Sequence, residues 1–285
     1  MTHDASRDES LGSYSPAAHY DRVTEAWGLL LGEDLHYGVF GVGDEPLPVA
    51  TAALTDLMIE HARLRPGIRL LDVGCGTGAP ACRLASEQGV HVLGITTSEI
   101  GVTAATERAR SQGLEGVSFE VRDGTASGLV DATFDVVWVM ESSHLMSERE
   151  ALLTEAARLL RPGGRFVLCD IIRRRDIPFL EVRDRREDLA VLRRAFGAAR
   201  MDKLGEYATY AQVAGLVVDE MVDLTSATLP TFDRWQANVA DHRATVADSL
   251  AEADIEAFER SCDILRGFWL DGTLGYGLIT ADKPA

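Results

Sequence analysis

Leu70-Leu71-Asp72-Val73-Gly74-Cys75-Gly76-Thr77-Gly78 is the stretch on which the reading of this chain turns. A buried strand ends in a turn with glycine at every second position, and a helix starts at once. Glycine reaches dihedrals barred to other residues and lets a ligand touch the backbone. The helix start offers unpaired N–H groups to a carboxylate or phosphate. Ligands of open α/β sheets sit in that crevice, beyond the carboxyl ends of the strands.

Outward from this turn, short apolar runs alternate with helical stretches. The spacing predicts strands at 69–73, 90–95, 117–121, 134–139 and 165–169, with helices near 80–88, 100–112 and 148–160. Upstream, 49–64 has apolar residues at helical spacing and stops at Pro66-Gly67. Downstream, 171–205 is charged and Arg-rich, 207–213 reads as a helix, 217–224 as a strand, 230–268 as helical and 274–281 as a closing strand. The expected fold is α/β: a doubly wound, seven-stranded, mostly parallel sheet covered on both faces. A tail at 1–15 is expected to be disordered, and 16–285 to form one domain. That domain has N-terminal helices at 16–64 and helical cap segments at about 171–206 and 227–270. Arg161-Pro162-Gly163-Gly164 reads as a helix stop feeding a strand.

Gly74, Gly76 and Ala79 also fit the dinucleotide pattern G-x-G-x-x-G/A, which alone is a weak match. Three features favour S-adenosylmethionine. Asp72 stands at a strand end, where it could meet an amino group. Gly78 adds a third glycine. Asp123-Gly124 follows the third strand, where an adenine amino group could be met. A nicotinamide site also wants an acidic residue about 20 positions on, whereas the second strand here ends in Gly94-Ile95-Thr96-Thr97-Ser98.

Composition removes several other classes. The 285 residues carry a formal net charge of -17, a balance that repels a phosphate backbone, so no nucleic-acid substrate is expected. No run approaches the ~20 apolar residues of a membrane span, and the polar N-terminus is no signal peptide; a cytoplasmic protein with no membrane partner is the expectation. Cys75, Cys82, Cys169 and Cys262 form no CxxC pair, so neither structural zinc nor a disulfide framework is expected.

With these residues in view, the chain resembles the class I S-adenosylmethionine-dependent methyltransferases of small molecules. That group includes the tocopherol, sterol, geranyl diphosphate and antibiotic-sugar methyltransferases. The likeness runs from Tyr20 to the C-terminus. It rests on Leu35-His36-Tyr37-Gly38, the Leu71–Gly78 turn, Gly94-Ile95-Thr96-Thr97-Ser98, Glu141-Ser142-Ser143-His144-Leu145-Met146 and Leu160-Arg161-Pro162-Gly163-Gly164. The resemblance implies a Rossmann-like fold. Gly74 and Gly76 would line the methionine part, Thr96 would lie near the ribose, and Asp123 and Gly124 would meet the adenine. The commoner pattern ends the second strand in Asp or Glu, so Thr97 or Ser98 would supply the ribose contact here.

Methyl transfer is an in-line attack, and for a hydroxyl acceptor the protein must align the nucleophile and take its proton. The fourth strand runs into Glu141-Ser142-Ser143-His144. His144 suits a base near neutral pH, and Asp170, ending the fifth strand, would orient it. The antibiotic-sugar O-methyltransferases resembled carry a His and an Asp at these matches, and several carry a second His where this chain has Leu145. Glu141 would hydrogen-bond the cofactor, or hold a cation in a carbon methylation. Tyr37 would cover the methyl group and Tyr20 help close the site. Trp235, Phe268 and Trp269 are candidates for an apolar pocket or for ordinary core. Arg173-Arg174-Arg175 is either a solvated face or a clamp for an anionic substrate.

The leading expectation is O-methylation of a natural-product hydroxyl, as in antibiotic biosynthesis. The alternative is C-methylation of a prenyl diphosphate or another alkene or ring carbon, with Glu141 on the cation and magnesium as a further cofactor. A cofactor binder without transferase activity and a nicotinamide oxidoreductase are the other classes. No protein-held metal site is expected, and homo-oligomerisation is left open.

Overall fold

The computed structural model describes residues 26–285, of which 26–30 are helical. The expected tail and Tyr20 lie outside the described residues. The elements in chain order are α1 (Leu47–Ala62), β1 (Arg69–Val73), α2 (Ala79–Gln88), β2 (His91–Thr96), α3 (Glu99–Ser111), β3 (Val117–Val121) and β4 (Phe134–Met140). A 3-10 turn at Ser143–Leu145 follows. Then come α4 (Arg149–Leu159), β5 (Leu160–Arg173), α5 (Phe179–Asp184), α6 (Arg186–Phe196), α7 (Leu204–Val213) and β6 (Val217–Asp223). The chain ends through α8 (Thr225–Thr228), α9 (Thr231–Val246), α10 (Glu252–Leu270) and β7 (Leu274–Asp282).

One seven-stranded sheet has the order β3-β2-β1-β4-β5-β7-β6, and β7 alone runs against its neighbours. The order reverses between β1 and β4, and their carboxyl ends open the crevice that doubly wound sheets use for ligands. Side chains alternate across the strands. Leu70, Val136, Trp138 and Val167 face α1, α2 and the helices of the cap, while Leu71, Val137, Val139 and Phe166 face α4 and α7. No described helix is long and apolar enough to cross a membrane.

Three segments differ from the expectation. Arg161-Pro162-Gly163-Gly164 is a bulge inside β5 and not a plain helix stop: Phe134 pairs with Leu160, but Val136 pairs with Arg165. Gly163 takes φ +75°, and a Cβ on Gly164 would lie 2.8 Å from the Arg161 carbonyl. The Lys283 ammonium donates to the carbonyls of Ala157 and Leu160, closing the end of α4. Second, β5 runs on to Arg173 because β7 pairs with it as far as Leu274. Third, the long helical stretch after Pro230 is two helices, with Arg243 of α9 paired to Glu252 and Glu259 of α10.

Candidate active site

β1 delivers Asp72 and the glycine turn to the crevice. The N–H groups of Gly74 and Cys75 both donate to the Ile95 carbonyl, folding the turn against β2. All three glycines have positive φ, the left-handed region that side chains resist. Their surroundings differ. A Cβ on Gly74 would lie 2.2 Å from Ser142 Cβ, and one on Gly78 2.7 Å from Ala105 Cβ. A Cβ on Gly76 would meet nothing within 4 Å. Gly74 and Gly78 are therefore kept small by the protein, whereas Gly76 is bare toward open space.

That space is a cavity of about 850 Å³, in the range of small-molecule sites. Tyr37, Asp72, Gly74, Gly76, Thr96, Thr97, Ser98, Asp123, Gly124, Glu141 and His144 all line it. Gly78 does not: it caps α2 and packs on Ala105 and Phe119. Asp170 lies behind His144, fully buried. Ser98 Oγ accepts the Gly101 N–H as the N-cap of α3, and Thr96 Oγ1 accepts the Ser98 N–H. Thr97 is exposed on the cavity wall. Asp123 Oδ1 accepts the N–H and hydroxyl of Thr125, which shapes the turn that presents Gly124.

Asp72 provides the test of whether the cofactor fits. Its Oδ2 is buried without a partner among the described residues, and burial pushes the carboxyl up to about 7. Holding it there disfavours the ionised form by roughly 4 kcal/mol. An ammonium group would relieve that cost, and the bare Gly76 backbone beside the start of α2 suits the carboxylate of the same amino-acid end. The cradle thus fits S-adenosylmethionine. A consequence is measurable. An ammonium partner favours ionised Asp72, so affinity for S-adenosylhomocysteine should fall as pH drops below about 7 and level off above it. Calorimetry across pH checks this, and Asp72→Asn should weaken binding and flatten the dependence.

The other polar cluster sits just past the end of β4 and where β5 stops pairing with it, with Asp170 inside β5 and not at its end as expected. Asp170 Oδ1 accepts His144 Nδ1 at 2.7 Å. A carboxylate only accepts, so Nδ1 carries a hydrogen, and in the neutral ring Nε2 keeps its lone pair. Burial works to strip the proton from a charged His144, but the Asp170 carboxylate outweighs it and holds the imidazole's pKa above its ordinary value. Glu141 has φ +48°, an uncommon backbone for a residue with a side chain. Its Oε1 accepts the Tyr37 N–H at 2.9 Å and the Tyr276 hydroxyl at 2.6 Å. Burial outweighs those two donors and lifts its carboxyl to about 8.

The aromatic candidates separate. Trp235 lines the cavity, but Trp269 stacks on Tyr37 at 5.6 Å and Phe268 lies under the Arg185 guanidinium. The arginine run is no clamp: Arg173 pairs with Glu206, Arg174 with Asp223 and Arg175 with Glu181. The missed wall is α6 and the loop after it. Leu189, Leu192, Phe196 and Met201 line the cavity there, and between 189 and 201 Arg193 is its one charge. Leu189, Leu192 and Phe196 recur at helical spacing among charges, the sequence signal that could have revealed the wall. Asp34 and His36 also line the cavity; His36 is held by the Tyr37 carbonyl at 2.8 Å.

Comparison with known proteins shows the family and the fold. Residues 64–215 match the family described as "Methyltransferase domain". The chain is 35% identical over 266 residues to 27-O-demethylrifamycin SV methyltransferase of Amycolatopsis mediterranei, covering 93% of this chain and 95% of that protein. Among solved structures, the [4+2]-cyclase SpnF superposes with a TM-score of 0.81 at 29% identity, over 94% of this chain and 96% of that one. The mycolic acid cyclopropane synthase CmaA1, solved with SAH and CTAB, shares the fold at a TM-score of 0.84 and 22% identity, over 97% of this chain and 100% of that one.

Proposed function

The chain belongs to the methyltransferase-domain family as an S-adenosylmethionine-dependent enzyme acting on small molecules, and from that premise we propose that its acceptor atom is a hydroxyl oxygen on an apolar natural-product scaffold. The observation that carries the proposal is the pairing of His144 with buried Asp170 at the cavity wall. The rifamycin relative, whose name specifies a 27-O-demethylated acceptor, supports it.

When bound, S-adenosylmethionine supplies a methyl group already activated by the sulfonium charge. Asp72 would hold its amino group, Gly74 and Gly76 its carboxylate end, Thr97 the ribose, and Asp123 with Gly124 the adenine. The acceptor's apolar body packs on Leu192, Phe196, Met201 and Trp235. Its hydroxyl donates to His144 Nε2, which takes the proton as the oxygen attacks. Asp170 keeps the imidazole in the tautomer this needs and stabilises the imidazolium that forms. Tyr37, packed among Phe232, Trp235 and Trp269, makes a rigid wall beside Glu141.

Carbon methylation through a cation gains less support. Glu141 Oε1 is already committed to the Tyr37 N–H and the Tyr276 hydroxyl. The arginines that would grip a diphosphate, with its magnesium, are committed to carboxylates. Two measurements separate the readings. Glu141→Gln should slow single-turnover methyl transfer less than His144→Ala does; carbon attack reverses that order. The rate should also rise with pH along a limb centred above 6.5, the ordinary imidazole value, because His144 must be neutral to accept a proton. Asp170→Asn should move that limb down. The direct experiment supplies labelled S-adenosylmethionine with 27-O-demethylrifamycin SV or related hydroxylated macrocycles and locates the label by NMR. A label on carbon defeats the proposal.

A further inference from the structure

The pairing that holds His144 continues beyond Asp170. The Asp170 carboxylate is fully buried. It accepts hydrogen bonds from His144 Nδ1, the N–H of His144, the N–H of Ile171 and Ser143 Oγ, the last at 2.5 Å. Ser143 Oγ lies 2.7 Å from the hydroxyl of Tyr207, on α7. A count of hydrogens fixes the direction of every bond. A serine hydroxyl has one hydrogen, and the carboxylate can only accept it. Ser143 therefore donates to Asp170, and the Tyr207 hydroxyl donates to Ser143. Tyr207 keeps its hydrogen, since burial pushes the phenol well above its usual range. Ser143, Asp170 and Tyr207 are all fully buried, so no water competes for these bonds.

We infer that Ser143 and Tyr207 are positioning residues for methyl transfer: two aligned hydroxyls that hold the Asp170 carboxylate against His144 Nδ1 and temper the charge the imidazole feels. The inference rests on His144 as the base. Both O–H dipoles point their positive ends toward Asp170 and offset part of its charge. Removing them exposes the imidazole to a stronger field, which favours its protonated form. The same hydroxyls tie the catalytic turn to α7, an element outside the cavity wall. The other charged groups acting on His144 are Glu141 at the end of β4 and Arg149 on α4. Arg149 is committed to Asp202 at 2.5 Å, and Glu141 to Tyr37 and Tyr276. On the cap side, Arg200 donates its N–H to the His144 carbonyl.

The test follows the His144 imidazole by NMR titration in the intact protein, labelled at histidine and assigned through His144→Ala. It needs no acceptor. Ser143→Ala should raise the titration midpoint by about half to one pH unit. Tyr207→Phe should raise it by less, since its dipole is further away. Asp170→Asn should lower it. Where a single variant does not fold, Ser143→Ala with Tyr207→Phe removes both hydroxyls without orphaning either, and the midpoint should again rise. If Asp170→Asn lowers the midpoint while the hydroxyl variants leave it within about 0.1 of wild type, or lower it, the inference is wrong and the His144–Asp170 base stands. If Asp170→Asn leaves it unmoved, the base reading fails and takes the inference with it.

Discussion

Replacing His144 by alanine should slow methyl transfer by about 10²–10⁴-fold, the usual contribution of a positioned base, and leave cofactor affinity nearly unchanged. The expectation follows from where the side chain is held. His144 sits at the cavity wall, 7% exposed, while its partner Asp170 is fully buried behind it. Groups assigned here to the cofactor come from other elements: Asp72 and Gly76 from β1 and its turn, Thr97 from the end of β2. On the proposed mechanism, truncating the imidazole therefore removes the proton acceptor and spares the cradle. It also leaves the Asp170 charge buried with one donor fewer, so some loss of stability is expected, of the order of 1–3 kcal/mol for an unmade bond of this type. Single-turnover kinetics beside calorimetry with S-adenosylhomocysteine separate the two effects. A variant that binds normally and turns over at a near-wild-type rate removes His144 from the mechanism.

Gly76→Val should abolish detectable binding of S-adenosylmethionine and S-adenosylhomocysteine, a loss of about 100-fold or more, in a chain that still folds. The position is unusual among the glycines of the turn. Valine at Gly74 would drive into Ser142, and at Gly78 into Ala105 and Phe119, so those variants would report on folding. At Gly76 the protein offers no obstacle within 4 Å of a Cβ. The valine would occupy the cavity, where backbone should touch ligand. Its φ of +52° imposes a backbone cost of about 1–2 kcal/mol, which a domain of this size tolerates. Circular dichroism and calorimetry check the two halves of the claim. Normal cofactor binding by the folded variant would place the site elsewhere.

Much of this was legible because the informative signals are local. The Asp72–Gly78 turn declares its strand, its turn and its helix within a few residues. His144 follows the end of β4, and Asp170, expected to end the fifth strand, instead lies inside β5 just past its last pairing with β4. What escaped depends on partners distant in the chain. The length of β5 is set by antiparallel pairing with β7, more than a hundred residues later. The arginine run looked available for substrate, yet its carboxylates come from α5, α7 and β6. Gly78 looked like a third ligand-facing glycine, but the reason it must lack a side chain is Ala105 on α3. Tyr207 lies 64 residues from Ser143, and nothing in its helix announces a link to the catalytic turn. The apolar wall on α6 was hidden by the charges interleaved with it.

The most direct test of the account is a crystal structure with S-adenosylhomocysteine and the acceptor both bound. An acceptor hydroxyl oxygen is expected within hydrogen-bond reach of His144 Nε2, about 2.6–3.2 Å, and in line with the cofactor's sulfur. An acceptor carbon facing the sulfur, or a hydroxyl turned away from His144, would contradict it.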